Sequence, residues 1–153
     1  MPRLRFALLL AALTILSAAP ASAQLQPDAT VMTKVTIPDI MAFLSHEGYT
    51  GAEVDEDGDV KFRIEGKTVY IRPGKSETSM SFLGAWGNTQ ATPEKVNSWN
   101  KTKRFSRAYL DHENDPVLEL DLDFAGGVTV ARVKDFFLTI RTSVDLFRAE
   151  VVN

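Results

Sequence analysis

The sequence contains no cysteine and only two histidines, His46 and His112. Without cysteine there is no disulfide, no thiol catalysis, no thiolate zinc site and no iron–sulfur cluster. Two histidines also argue against a histidine-rich metal site. The hydrolase motifs G-x-S-x-G and H-E-x-x-H are absent as well. The sequence therefore identifies no catalytic residue, and we expect a non-enzymatic protein without a cofactor.

An excess of positive charge and a long apolar run are missing too. The net charge is −3 and the isoelectric point is about 5.4, which argues against a nucleic-acid-binding protein. A bilayer-spanning helix needs about 20 apolar residues. The N-terminal run, residues 6–16, has 11 residues, and the rest of the chain has no longer one.

The first 23 residues have the order of a secretory signal peptide. Arg3 and Arg5 precede the apolar run, and Ala21-Ser22-Ala23 supplies the small residues of a cleavage site. Cleavage after Ala23 removes two arginines and no acid, so the net charge becomes −5. We expect a periplasmic or secreted protein that has no membrane contact once it is cleaved. An uncleaved N-terminal anchor helix is the alternative.

The remaining chain predicts one α+β domain over residues 37–153, after a flexible lead-in at residues 24–36. Apolar residues at helical spacing predict a first helix that begins at Ile37 and ends near Gly48. Alternating residues then predict an antiparallel meander, with hairpin turns at Asp57-Gly58 and Glu65-Gly66.

The second half of the domain predicts a helix, a hairpin and a long helix. Thr92-Pro93-Glu94 has the pattern of a helix start. Residues 106–110 and 117–124 flank an Asp- and Asn-rich turn and predict a hairpin. The last helix begins near Thr129, and three of its apolar side chains lie off its main apolar stripe: Phe136, Leu138 and Leu146. We therefore expect an antiparallel sheet packed with helices.

Two acidic groups invite a comparison with cation sites. Residues 55–59 resemble the start of a calcium loop, but Val60 and Gly66 stand where that loop needs glycine and glutamate. A tight turn is the simpler interpretation. Glu119, Asp121 and Asp123 share one strand face, where cross-strand pairing with Arg107 competes with a cation site.

A resemblance to a known family is carried by Thr92 to Asn100 and by Lys103 to Leu110. Both stretches resemble the YbjN family, described as "putative bacterial sensory transduction regulator". Val117 to Asp121 and Gly126 to Thr129 agree with it. The resemblance covers about residues 37–151, and it implies a fold like that of type III secretion chaperones, often dimeric. It brings no catalytic motif. The signal peptide departs from many relatives, which look cytoplasmic.

Three hypotheses follow. We favour an exported protein-interaction or chaperone-like module that binds a protein or peptide and acts as a stress or sensory regulator. A homodimer of this module is one form of the hypothesis. The alternatives are a periplasmic sensor of a small ligand or cation and an uncharacterised hydrolase. The candidate interaction surface combines basic residues near the second helix with two apolar residues of the last helix: Lys103, Arg104, Arg107, Phe136 and Leu146.

Overall fold

The computed structural model describes residues 25–153. The predicted signal peptide, residues 1–23, lies outside the described residues. The three α-helices of this described part are α1 (Ile37–His46), α2 (Pro93–Thr102) and α3 (Val130–Phe147). The eight strands are β1 (Val31–Met32), β2 (Glu53–Val54), β3 (Val60–Ile64), β4 (Lys67–Pro73), β5 (Ser79–Ala85), β6 (Arg107–Leu110), β7 (Pro116–Asp123) and β8 (Val128–Thr129). The predicted α+β class is confirmed.

Six of the strands form one antiparallel sheet in the order β2-β3-β4-β5-β7-β6. The meander and the hairpin that the sequence predicts are therefore both present, joined where β5 pairs with β7. The β3–β4 turn has the predicted Glu65-Gly66 hairpin geometry. Both residues have positive φ angles, as a tight two-residue hairpin requires. The edge strand β6 lies beside β7, outside the meander.

One apolar core lies between the helices and one face of the sheet. Alternate residues of β3, β4, β5 and β7 contribute to it, together with apolar residues of all three helices. Trp86, Trp99 and Phe147 join the end of the sheet to α2 and α3, because both tryptophan rings lie within 5.3 Å of the Phe147 ring. Gly84 is needed beside them, since a Cβ there would come within 2.7 Å of the Trp86 ring.

Helix boundaries follow local chemistry. Thr36 caps α1 in a reciprocal pair with Asp39, and Thr92 and Thr129 cap α2 and α3. The predicted helix starts are confirmed. The chain continues past α3 as one π-helical turn, Arg148–Val152, whose carbonyl at Val152 accepts from the Gln90 amide at 3.1 Å. Within residues 25–153, no helix is long and apolar enough to cross a membrane.

The structure adds a second, two-stranded ladder that the sequence analysis did not predict. Val31 and Met32 of β1 pair with Thr129 and Val128 of β8. Strand β1 lies in the segment that was expected to be a flexible lead-in. Asp28 forms an ion pair with Lys134 at 2.6 Å, which ties the same segment to the start of α3. Strands of two residues have no periodicity from which they can be predicted.

Candidate interaction groove

A groove of about 400 Å³ runs along the outer side of α3, beneath the loop that follows α2. We call it the α3 groove. Its apolar lining comes from Trp99, Phe105, Leu138 and Leu146, and Lys103 and Arg104 also line it. The volume is within the range of about 300–1,000 Å³ that is typical of ligand sites.

The floor of the groove is a stripe of α3 that faces away from the core. Asp135, Leu138, Thr142 and Leu146 follow one another at intervals of three or four residues, so they share one side of the helix. Leu138 is 58% exposed and Leu146 is 41% exposed. The prediction that these two leucines lie off the buried stripe is confirmed.

The same prediction is wrong for Phe136. This side chain is 2% exposed and packs edge-to-face with Phe137, whose own ring lies 5.9 Å from Phe43 of α1. The buried sector of α3 is therefore wider than one stripe, because the helix packs on α1 as well as on the sheet. Phe136 belongs to the core, and Leu138 occupies the exposed place beside Leu146.

The loop over the groove is held at both ends. Lys103 forms an ion pair with Glu150 and lies 5.5 Å from the centre of the Trp99 ring. The Trp99 indole N–H donates to the Ser106 hydroxyl at 3.2 Å. Between these contacts, Phe105 has a φ of +66° and is 75% exposed. A left-handed conformation is unfavourable for a bulky residue, and its ring faces solvent.

The hydroxyl groups of the threonines that line the groove all donate hydrogen bonds to backbone carbonyls. Thr102 donates to the Ser98 carbonyl at 2.8 Å, Thr139 to that of Asp135 at 2.8 Å, and Thr142 to that of Leu138 at 3.0 Å. Each bond lies within its own helix and satisfies the hydroxyl donor. These threonines therefore present methyl groups to the groove and no free hydroxyl donors, which adds to its apolar surface.

The five predicted interaction residues do not form one surface. Lys103, Arg104 and Leu146 line the groove, whereas Phe136 is in the core. Arg107 belongs to strand β6 of the sheet, where its guanidinium pairs with Glu119, the residue directly opposite on β7. The Glu119 carboxylate also raises the pKa of the Arg107 guanidinium through this hydrogen bond. Leu138 and Phe105 also line the groove but were not among the predicted interaction residues, although spacing had placed Leu138 off the buried stripe.

Glu119 on the outer sheet face is neutralised by its neighbours. Besides Arg107, the Tyr109 hydroxyl donates to it at 3.1 Å, and the side chain is mostly buried. The predicted cross-strand ion pair is therefore confirmed. Asp123 instead accepts the Ala125 amide at 2.8 Å and closes a turn. In the described part of the chain, no three His, Asp or Glu side chains are grouped as a metal site would require.

The other polar motifs have structural roles. Asp55 accepts the amides of Asp57 and Asp59, at 3.1 and 2.9 Å, which confirms the tight turn. His46 lies in the last turn of α1 and contacts Glu47. The motif S-x-x-K, which penicillin-binding proteins use, is also present in the sequence, from Ser98 to Lys101. Both side chains lie on the exposed side of α2.

Fold and site together define a class: an α+β protein with one open sheet face and an apolar groove between two helices. Comparison with family models then identifies the chain. Residues 37–152 match the model of the YbjN family, described as "Putative bacterial sensory transduction regulator". The protein belongs to the YbjN family, as its sequence resemblance predicts.

Comparison with solved structures finds a similarity to a type III secretion chaperone. This is SycH of Yersinia pestis, in a crystal structure with a stable fragment of YscM2. The TM-score is 0.48 and the identity 16%, over 69% of this chain and 94% of that one. No curated protein matches the sequence.

Proposed function

We propose that this protein is an exported, non-enzymatic interaction module that binds another protein in the α3 groove, as a regulator or a chaperone. The observation that carries the proposal is Phe105, an aromatic ring held in solvent by a left-handed backbone above exposed leucines. Unfavourable conformations persist where the surrounding structure imposes them, and they cluster at functional sites. The family description supports a regulatory role.

Export is supported by the N-terminal pattern of two arginines, an apolar run and Ala21-Ser22-Ala23. Expression in a Gram-negative host, followed by fractionation and N-terminal sequencing, tests it. We expect the periplasmic or secreted protein to begin at Gln24. A protein that keeps Met1 and stays in the cytoplasm would contradict export and leave the groove to be tested separately.

Site-specific photocrosslinking tests the groove as the binding surface. A benzophenone amino acid replaces Leu138 in the groove, and in a matched strain it replaces Asp121, which is exposed on the outer face of the sheet. We expect one reproducible protein adduct from position 138 in the native compartment and none from position 121. Equal adducts from both positions, or none from either, would overturn the proposal.

A further inference from the structure

The walls of the α3 groove decide what backbone conformation its occupant can have. Most of the lining comes from α2 and α3, in whose interiors the backbone N–H and C=O groups are already paired, and the threonine hydroxyls bond within these helices; the loop residues Lys103, Arg104 and Phe105 complete the wall. An extended segment laid along α3 would bury its own backbone groups without partners on that helix, which is unfavourable. A helix has satisfied these groups before it binds.

The nearby sheet edge does not offer strand pairing either. The outer side of β6 is covered by Asn100 of α2, whose amide group donates to the Ala108 carbonyl and whose side-chain oxygen accepts from the Ala108 amide, both at 2.8 Å. These two bonds occupy the backbone groups that Ala108 would otherwise offer to an added strand. An occupant next to Ala108 therefore contacts side chains.

The dimensions fit a short helix. Leu138 and Leu146 are eight residues apart on α3, which corresponds to about 12 Å along the helix axis. A partner helix of two to three turns covers that length. Apolar residues at intervals of three and four positions on the partner would contact Leu138, Leu146 and the Phe105 ring.

Charge adds a preference at one end. Lys103 is paired with Glu150, and Asp135 is paired with Arg132 at 3.1 Å. Arg104 is exposed, and no ion pair to it occurs among residues 25–153. The charge of the groove that remains available is therefore positive, and it favours an acidic residue on the partner.

We infer that the α3 groove binds an amphipathic helix of another protein, with an acidic residue of that helix beside Arg104. The inference rests on the proposed function and specifies the chemistry of its partner. Affinity comes from the apolar contacts with Phe105, Leu138 and Leu146. Selectivity comes from Arg104, because a basic residue at the same place is repelled.

Three synthetic peptides of about 18 residues, long enough to form helices alone, provide the test. The first has leucines at helical spacing and glutamates beside them. The second replaces each glutamate with lysine, and the third is the glutamate peptide with a central proline, which breaks the helix. Fluorescence anisotropy measures their binding to the full-length protein and to the variants Leu138→Asp and Arg104→Glu.

We expect the glutamate peptide to bind at least about tenfold more tightly than the lysine peptide, with a smaller ratio at high salt. Arg104→Glu should reverse that preference, and Leu138→Asp should abolish binding of both while its urea unfolding midpoint is unchanged. Equal affinities for the two charge forms, or full binding of the proline peptide, would overturn the inference.

A second copy of the chain is the competing occupant. Sedimentation velocity measures the oligomeric state of the wild type and of Leu138→Asp, and a dimer that this substitution dissociates would overturn the inference. The photocrosslinking experiment keeps the two claims separate. An adduct at position 138 together with failure of all three peptides would overturn the acidic helix alone, whereas loss of the adduct would overturn the interaction module as well.

Discussion

At the scale of single residues, Phe105 is the side chain whose conformation and exposure both work against stability. A left-handed backbone costs a residue with a Cβ about 1–2 kcal/mol, and a ring that stays 75% exposed returns little by burial. Truncation of the Phe105 side chain should therefore change the groove without lowering the stability of the fold.

The comparison of two substitutions at Phe105 separates backbone strain from the ring. We expect Phe105→Gly to be more stable than Phe105→Ala by about 0.5–1 kcal/mol, because only glycine adopts the left-handed conformation without strain. Urea unfolding of the two variants and the wild type measures the free energies. A glycine variant that is less stable than the alanine variant would show that the conformation is not retained.

Two tyrosines give the stability a dependence on alkaline pH. Burial raises the pKa of Tyr49, which packs against Phe62 at 5.0 Å between ring centres. Burial also raises the pKa of Tyr109, and its hydrogen bond to Glu119 adds to the effect. In both cases the folded state holds the phenol proton more tightly than the unfolded state, whose tyrosines titrate near pH 10.

The sign of this dependence follows from proton linkage. The contribution of each tyrosine to stability is complete below pH 10 and is lost as the pH rises through its folded-state pKa. We expect the urea midpoint to fall between pH 9 and pH 11.5, and to fall less in the double variant Tyr49→Phe, Tyr109→Phe. The same decrease in the double variant would assign the effect to other groups.

At the scale of elements, the edge of β6 depends on one side chain of α2. Asn100 forms two backbone hydrogen bonds with Ala108, and so occupies an edge that is otherwise open to pairing with another chain. The sequence Asn100-Lys101-Thr102 also matches a glycosylation triplet, but this amide nitrogen is already engaged.

Replacement of Asn100 tests its role at the edge. We expect Asn100→Ala to lower the free energy of unfolding by about 1–2 kcal/mol, because two hydrogen bonds are lost, and to increase light scattering at high protein concentration. Asn97→Ala on the same helix is the matched control, since Asn97 is exposed and its side chain forms no hydrogen bond in the described residues. Equal effects of the two substitutions would contradict the prediction.

Elements were more predictable from the sequence than their contacts. Periodicity placed α1, α3 and the meander, and the cap residues Thr92 and Thr129 fixed two helix starts. The exposure of Phe136 could not be predicted, because it depends on how α1 packs against α3. Three of the groove residues, Lys103, Arg104 and Leu146, were predicted from the sequence. Phe105 was missed as a groove residue, since no sequence pattern signals a left-handed phenylalanine.

At the scale of the whole molecule, α3 supplies one side of the core over its full length. Seven of its apolar residues are buried: Val130, Val133, Phe136, Phe137, Ile140, Val144 and Phe147. These residues pack on the inner face of the sheet beside β7, and that part of the face would be exposed without this helix.

A chain that stops at Thr129 should therefore not fold. We expect it to show no cooperative urea transition and to be digested rapidly by a protease at concentrations that leave the full chain intact. The full chain with Leu138→Asp and Leu146→Asp is the control, because both positions are exposed and its transition should be retained. A cooperative transition in the shortened chain would contradict the role given to α3.

The β1–β8 ladder has a consequence for the timing of folding. Val31 is among the first of the described residues to leave the ribosome, and its partner Thr129 follows about 100 residues later. Contacts between such distant positions are slow to form and cannot form during most of synthesis. The clasp between the two ends of the domain therefore cannot close until almost all of the chain has been made, whereas the hairpins of the meander pair residues that are close in sequence and do not depend on it.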